Sequence, residues 1–183
     1  MILEPRFESM PRGELVQLQI ERLQATLRRV YRNVAYYRAA FDSHGVDVDA
    51  VRDLEALAGL PFTSRADLQS SYPYGMFAVP LRDIVRLHAS SGSRGRPVVS
   101  GYTRNDLEHW SGLVARQLVA AGVNEHDIVQ VCFSYSLFTG GLGFHYGAER
   151  LGAAVVPAST GAIAADQIAI MRDYKTTVLA GMP

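Results

Sequence analysis

Apolar residues recur at alternating steps of four and three along the first part of the chain: Val16, Ile20, Leu23, Leu27, Val30, Val34, Tyr37 and Phe41. That period lays one apolar stripe along a helix predicted over 13–41. Arg22, Arg28, Arg29, Arg32 and Arg38 fall largely off the stripe and read as a solvated face. Gly45 stops the element. Over 46–80 the pattern is shorter and broken. A helical piece fits 51–57, ended by Gly59 and Pro61, and Ser64 followed by Asp67 has the spacing of a capping box that opens another short helix. Pro73, Gly75 and Pro80 interrupt the remaining residues to 80, so this segment is expected to wrap a core built elsewhere.

The pattern changes at Ile84. Strands are predicted at 84–89 and 98–102, with a small-residue loop between them. Thr103 and Asp106 cap a helix running to about residue 121. The order is then regular: strand 128–134, a Gly-rich turn, helix 142–151, strand 153–158, helix 163–174 and strand 176–180. Nearly continuous apolar strands alternating with helices indicate parallel strands covered on both faces and joined by right-handed crossovers. The predicted class is therefore α/β: an N-terminal helical region followed by a mostly parallel sheet with helices on both faces. The expected division is a helical and irregular region at 1–80, packed on the core, and an α/β unit at 81–183. Ending on an apolar strand with no covering element leads us to expect a fragment of a larger domain. Its exposed last strand is open to self-association, a homodimer included.

Composition narrows the class. The chain has 183 residues, 18 basic and 18 acidic side chains and zero formal net charge. Apolar residues make up 48% and charged residues 20%, which is ordinary for a globular protein and excludes disorder. Balanced charge argues against non-specific nucleic-acid binding and polybasic membrane binding. No stretch approaches the roughly 20 apolar residues that span a bilayer, and the first residues lack an apolar signal-peptide core. Cys132 is the only cysteine, which excludes a disulfide framework and fits a reducing, cytoplasmic compartment. Lys175 is the only lysine, so arginine supplies nearly all the positive charge.

The loop Ser90-Ser91-Gly92-Ser93-Arg94-Gly95-Arg96-Pro97 carries candidate chemistry. Its glycines permit backbone conformations closed to other residues and let amides approach a ligand. Ser90, Ser91 and Ser93 offer hydroxyl donors, and Arg94 and Arg96 offer guanidinium forks for phosphate oxygens. It is not a Walker A loop, which ends in Gly-Lys-Ser/Thr and opens a helix. Here Pro97, Val98 and Val99 come next, so the loop joins two strands. On composition alone, a polyphosphate cradle and an ordinary Ser/Gly hairpin turn both fit.

The loop and its surroundings resemble phenylacetate-CoA ligases, within the adenylate-forming superfamily of acyl-CoA synthetases. The resemblance rests on Ser-Ser-Gly-x-x-Gly-x-Pro between strands. It rests further on His88-Ala89-Ser90-Ser91-Gly92, Gly101-Tyr102-Thr103, the run from Leu137 to Gly143, and the run from His145 to Gly152. Pro61-Phe62-Thr63 and the run from Tyr72 to Pro80 extend it, so it covers the chain from about residue 13 onward. It implies that 81–183 are part of the large N-terminal domain of an adenylate-forming enzyme, an incomplete adenylation subdomain carrying the phosphate loop. In such enzymes the loop binds the ATP phosphates while a carboxylate attacks the α-phosphate; the thiol of coenzyme A then displaces AMP. The resemblance implies ATP-phosphate contacts from Ser90, Ser91, Gly92, Ser93, Arg94, Gly95 and Arg96. It also implies use of ATP, Mg²⁺, coenzyme A and an aryl acid. The family's usual loop reads Thr-Thr-Gly-Lys where Ser93-Arg94-Gly95-Arg96 stands. Arg96 keeps the lysine's charge, while Arg94 puts a long cation in place of a hydroxyl, reaching either phosphate or solvent.

A second segment, 133–141, comes after a buried strand on the side where open α/β sheets bind ligands. By the same resemblance Phe133, Tyr135, Phe138 and Gly140 line the aryl pocket; plain core packing is the alternative. The family commonly has Tyr-Gly-Tyr-Gly where Phe133-Ser134-Tyr135-Ser136 stands. His145 and Glu149 share one helix face, as a packing pair or half of a metal site with no third ligand evident. His88 reads as structural, and His44, His109 and His126 as surface positions.

The family's adenine-binding, Mg²⁺-binding and hinge motifs, and its catalytic lysine, have no counterpart in 1–183; no catalytic residue or metal ligand is expected within them. The expected function is the N-terminal part of an aryl-acid:CoA ligase. Alternatives are a ligase for another aryl or cofactor carboxylate, and a truncated homologue serving as a binding or dimerisation module. The 183-residue chain alone is expected not to form acyl-CoA. AMP release dependent on ATP, coenzyme A and phenylacetate checks this, and robust turnover contradicts it.

Overall fold

The computed structural model describes residues 2–182 except Ser91, Ser93, Arg94, Ala162 and Ile163, and leaves out the side chain of Ala164. In chain order the elements are α1 (Pro5–Glu8), α2 (Arg12–Asn33), α3 (Ala35–Ser43), a 3-10 turn (Glu55–Gly59), α4 (Arg65–Ser70), a second 3-10 turn (Leu81–Asp83), β1 (Ile84–Ala89), β2 (Val99–Thr103), α5 (Arg104–Ala120), β3 (Ile128–Val131), α6 (Gly140–Leu151), β4 (Ala154–Val156), α7 (Ala164–Asp173) and β5 (Val178–Ala180). They gather into two compact units, Ser9–Gly101 and Met1–Glu8 with Tyr102–Pro183.

In the unit Ser9–Gly101, the apolar stripe folds as two helices rather than one. Val34 adopts an extended backbone (φ −118°, ψ 110°) between α2 and α3. The break leaves carbonyls without helical partners. The guanidinium of Arg38, placed by the pattern on a solvated face, donates to the carbonyls of Tyr31 and Arg32. Stripe residues Leu27 and Phe41 form the core with Val48 and Val51, and Val34 is itself buried. The helix predicted at 51–57 is instead the 3-10 turn, opened by the Asp53 carboxylate accepting the Ala56 N–H at 2.9 Å. Such side-chain capture of a nearby amide competes with helix formation.

The capping box forms as spaced: Ser64 Oγ accepts from the Asp67 amide, and Asp67 accepts from the Ser64 amide. The Ser64 hydroxyl, then its amide, hold the Asp67 carboxyl below its ordinary pKa. That contribution is present above the unfolded-state pKa and is lost as pH falls through the lowered one.

The irregular segment before β1 belongs to this unit. Asn33 Nδ2 donates to the Ala78 carbonyl at 2.9 Å. The Phe77 ring closes on Gly101 of β2 so tightly that a Cβ there would lie 2.6 Å from it. Packing of 60–80 against the strands therefore sets the unit boundary after Gly101, where the sequence pattern placed it at 80/81.

The other unit carries a three-stranded parallel sheet in the order β4-β3-β5; β1 and β2 form a separate two-stranded sheet. On one face Val129, Val131, Leu118, Val123, Ala148, Ala153 and Ala180 make the core with α5 and α6. On the other, fully buried Gln130 donates to Gln167 Oε1 of α7 at 2.7 Å and accepts from the Thr176 hydroxyl at 3.0 Å. Helices thus cover both faces. Gln130 was hidden inside a predicted apolar strand. The cost of burying its amide is offset because its donor and acceptor are both used.

Helix α6 begins at Gly140, two residues before the predicted start, taking the Gly-rich turn into the helix. A Cβ at Gly141 would lie 2.6 Å from the Ser134 carbonyl oxygen, at Gly143 2.9 Å from the Trp110 ring, and at Gly147 2.5 Å from Val114 Cγ1. Backbone, not side chain, forms this contact face. Gly147→Ala is therefore expected to destabilise the chain by about 1–3 kcal/mol through overpacking, despite the better helix propensity of alanine. Gly13→Ala in α2, where a Cβ meets nothing within 4 Å, is expected to shift stability the other way. Urea unfolding of both checks this; stabilisation by Gly147→Ala contradicts the packing.

Candidate functional site

The connection over 90–98 is shorter than the dozen or so residues that a parallel crossover needs, so β1 and β2 pair as a hairpin. Its mouth is locked by one residue. The Ser90 amide donates to the Val98 carbonyl, and the Val98 amide donates to Ser90 Oγ, both at 2.9 Å. The Ser90 hydroxyl oxygen is used as an acceptor while its proton stays available to donate. Gly92 (φ 67°) and Gly95 (φ 108°) both lie in the left-handed region, which curls the chain as L side chains rarely permit. A Cβ at Gly92 would also press on the Gly95 carbonyl oxygen at 3.2 Å.

Arg96 is held from two sides. Gln69 Nε2 donates to the Arg96 carbonyl at 2.9 Å, and the guanidinium carbon stands 5.8 Å from the centre of the Tyr72 ring. A planar guanidinium stacks on an aromatic face as an ammonium does not. Gln69 and Tyr72 were missed as partners of this loop; the signal was a tyrosine within the Tyr72–Pro80 run beside a chain rich in arginine. Hydroxyl, curled backbone and an exposed cation are a donor set that fits a polyphosphate. Ser91, Ser93 and Arg94 lie outside the described residues. The loop runs on into β2, so no helix dipole backs it. His88, next to the loop in β1, is buried; His44, His109 and His126 are exposed.

In the other unit, the predicted aryl-pocket residues differ in their surroundings. Phe133 stacks on Phe144 with ring centres 5.2 Å apart and planes 1° from parallel. Phe133 and Tyr135 pack against the main core, whereas Phe138 is 57% exposed. Gly140 brings Phe133 and Phe138 together: a Cβ there would meet their rings at 3.1 and 3.2 Å. Tyr135 is held from α6. Its hydroxyl lies 3.2 Å from His145 Nδ1, its ring meets the imidazole edge to face, and His145 Nε2 lies 3.1 Å from Glu149 Oε1. Burial first, then the negative charge of Glu149, push the Tyr135 phenol up from its ordinary pKa. Sequence spacing paired His145 with Glu149; Tyr135, ten residues before, was invisible to a helical period.

No group of three or more His, Cys, Asp or Glu gathers among the described residues. A cavity of about 350 Å³ lies beyond the end of α5, lined by Val119, Gly122, Val123, Asn124, Glu125 and His126, and takes in none of the predicted site residues. No helix among the described residues is long and apolar enough to cross a membrane.

No family model matches the chain. Known proteins do. The phenylacetate-coenzyme A ligase of Aromatoleum evansii is 47% identical over 181 residues, covering 99% of this chain. Those of Escherichia coli and Thermus thermophilus are 46% and 44% identical over 181 and 183 residues. The chain matches an N-terminal portion of the phenylacetate-coenzyme A ligases. It spans 41% of the length of these curated relatives. Among solved structures, 2-hydroxyisobutyryl-CoA ligase in its post-adenylation state with 2-HIB-AMP superposes with a TM-score of 0.89 at 29% identity. That similarity covers 98% of this chain and 39% of the ligase. The same ligase with 2-HIB-AMP and CoA in its thioesterification state gives the same TM-score. The fold is thus that of the N-terminal portion of an adenylate-forming ligase.

Gly140 sets the spacing of two aromatic rings. Gly140→Val is expected to displace the Phe133 and Phe138 rings and to lower stability by about 1–3 kcal/mol. Ring resonances in NMR and urea unfolding check this; unmoved Phe133 resonances contradict it.

Proposed function

We propose that residues 1–183 form the phosphate-loop and acyl-side portion of an AMP-forming aryl-acid:CoA ligase acting on phenylacetate. The observation that carries the reading is the hairpin loop at 90–97, curled at Gly92 and Gly95, in a chain 44–47% identical to phenylacetate-coenzyme A ligases. In the proposed reaction an oxygen of the acid's carboxylate bonds to the α-phosphorus of ATP. The bond from that phosphorus to the pyrophosphate oxygen breaks, leaving an acyl-adenylate and pyrophosphate. The thiol of coenzyme A then bonds to the acyl carbon and AMP leaves.

This chain's part is positioning and charge neutralisation. The backbone amides around Gly92 and Gly95, the Ser90 hydroxyl and the Arg96 fork would hold the β- and γ-phosphates as the leaving group's charge grows. Donors already aimed at a developing anion lower the barrier without reorganisation. The Tyr72 ring beneath the guanidinium and Gln69 on the Arg96 carbonyl would limit the freedom of that residue, the entropic part of that service. We place Ser91, Ser93 and Arg94 on the same phosphates by the resemblance of the loop. Phe133, Tyr135, Phe138 and Gly140 would form the wall against the aryl ring. Mg²⁺, when bound, supplies charge neutralisation at the phosphates. Coenzyme A and a cytosolic setting belong to the same proposal, the latter in keeping with the lone Cys132 thiol.

A second reading keeps the chemistry and changes the acid. It is favoured by Ser134 and Ser136, which stand where the resembling ligases commonly have glycine, on either side of Tyr135. Added hydroxymethyl groups beside the wall narrow an aryl slot and add polarity.

Arg96 tests the loop. In a ligase whose matched portion in the Escherichia coli relative is replaced by residues 1–183, Arg96→Ala is expected to raise KM for ATP about tenfold to a hundredfold. That is the loss of one or two charge-assisted hydrogen bonds. Arg96→Lys restores most of it, and Tyr72→Leu gives a smaller rise. An unchanged KM for ATP in Arg96→Ala removes the loop from the reaction.

A further inference from the structure

The chain Tyr135–His145–Glu149 takes one direction when the imidazole is neutral. A carboxylate only accepts hydrogen bonds, so the imidazole nitrogen facing Glu149, Nε2, carries a proton. In the neutral ring that leaves Nδ1 as the acceptor, and the partner of Nδ1 is the Tyr135 hydroxyl. In that tautomer the phenol donates its one hydrogen bond to His145 Nδ1. We propose that His145, oriented by Glu149, is a positioning residue that fixes the Tyr135 side chain and turns its oxygen into an acceptor-only group toward a bound acid. Two features of the geometry support this, and the electrostatics agree. His145 is only 22% exposed in its side chain, so its ring is confined, whereas Glu149 at 52% reaches it from the solvent side. Tyr135 is gripped twice by the same imidazole, through the hydroxyl and edge to face through the ring. Burial and the Glu149 charge keep the phenol protonated and able to donate.

The consequence concerns which acid is taken. A phenol whose one O–H already donates to His145 can meet a ligand only through its lone pairs. A ring substituent reaching Tyr135 is then accepted when it carries a donor, such as a hydroxyl or amine, and refused when it offers only lone pairs, as a methoxy or nitro group does. An unpaired acceptor facing another acceptor in a dry pocket is penalised more than a missing contact is. The inference rests on the reading of 133–140 as the acid-binding wall, and deepens it.

Two measurements keep the inference separate from that reading. Long-range ¹H–¹⁵N spectra of the histidines in the 183-residue chain report the tautomer of His145 without any catalysis. The expected result is a neutral ring protonated on Nε2; Glu149→Leu loses that preference and Glu149→Gln, still an acceptor, keeps it. A ring protonated on Nδ1, or no response to Glu149→Leu, overturns the inference. In the ligase assayed with an aryl acid that carries a ring hydroxyl, His145→Phe and Tyr135→Phe are each expected to raise KM for that acid about threefold to tenfold, the loss of one hydrogen bond, with kcat little changed. The double variant costs no more than either alone, because both remove the same contact. Should His145→Phe fold poorly, the solvent-side Glu149→Leu and Glu149→Gln pair carries the same KM comparison. Additive effects, or a His145→Phe KM equal to that of the parent, overturn the inference and leave the ligase reading standing. A parent with no acid-dependent turnover ends the ligase reading, while the tautomer still decides the direction of the bond.

Discussion

Helix α6 lies against its neighbours through its own backbone, and much of the α/β unit depends on that approach. At Gly141, Gly143 and Gly147 there is no room for a methyl group: the Ser134 carbonyl, the Trp110 ring and Val114 occupy the place. A helix held this close to α5 and to the end of β3 fixes the turn between β3 and α6 at both ends. It also explains why the turn can be aromatic without being loose. Phe133 is stacked onto Phe144 from the helix side, and Gly140 lets the rings of Phe133 and Phe138 close in. With larger residues at these positions, α6 would have to move outward and the contacts of Phe133 would loosen.

The same geometry gives His145 and Glu149 their meaning. Both stand on the α6 surface one turn apart, and the close seating of the helix brings the imidazole to Tyr135. A pair that looks like ordinary helix decoration thereby becomes the second layer behind a side chain of the turn. The loop at 90–97 in the other unit is organised differently. There, positive φ at Gly92 and Gly95 shapes the backbone, and Ser90 locks the mouth. Tyr72 supplies a face suited to the planar guanidinium of Arg96.

How much of this could be read from residues alone depended on how local the cause was. Both capping boxes, at Ser64 and Thr103, formed as spaced, because the interacting groups are three residues apart. Strand β1 appeared at its predicted bounds, and the parallel order of β3, β4 and β5 came from alternating apolar strands and helices. The break at Val34 was not legible. An apolar period continues across it unchanged, and only the carbonyls captured by Arg38 show why a bend is tolerated. The early start of α6 was missed because glycines read as a turn when their reason, contact with Ser134 and Val114, is distant in sequence. Gln130 was missed for the same reason: its partners Gln167 and Thr176 are far along the chain. At the site, the loop was visible as a motif, while the residues that hold it, Gln69 and Tyr72, and the hydrogen bond from Tyr135 to His145, required the fold.

In the proposed function, the curled loop at 90–97 and the aromatic turn at 133–140 serve one acid-adenylating reaction. Phenylacetate-dependent exchange of labelled pyrophosphate into ATP is the sharpest check on that pairing, because it reports the adenylation step without coenzyme A. In the Escherichia coli relative carrying residues 1–183 in place of its matched portion, the expected result is exchange that requires phenylacetate. A folded hybrid that binds ATP yet shows no exchange with phenylacetate or any other aryl acid would contradict it.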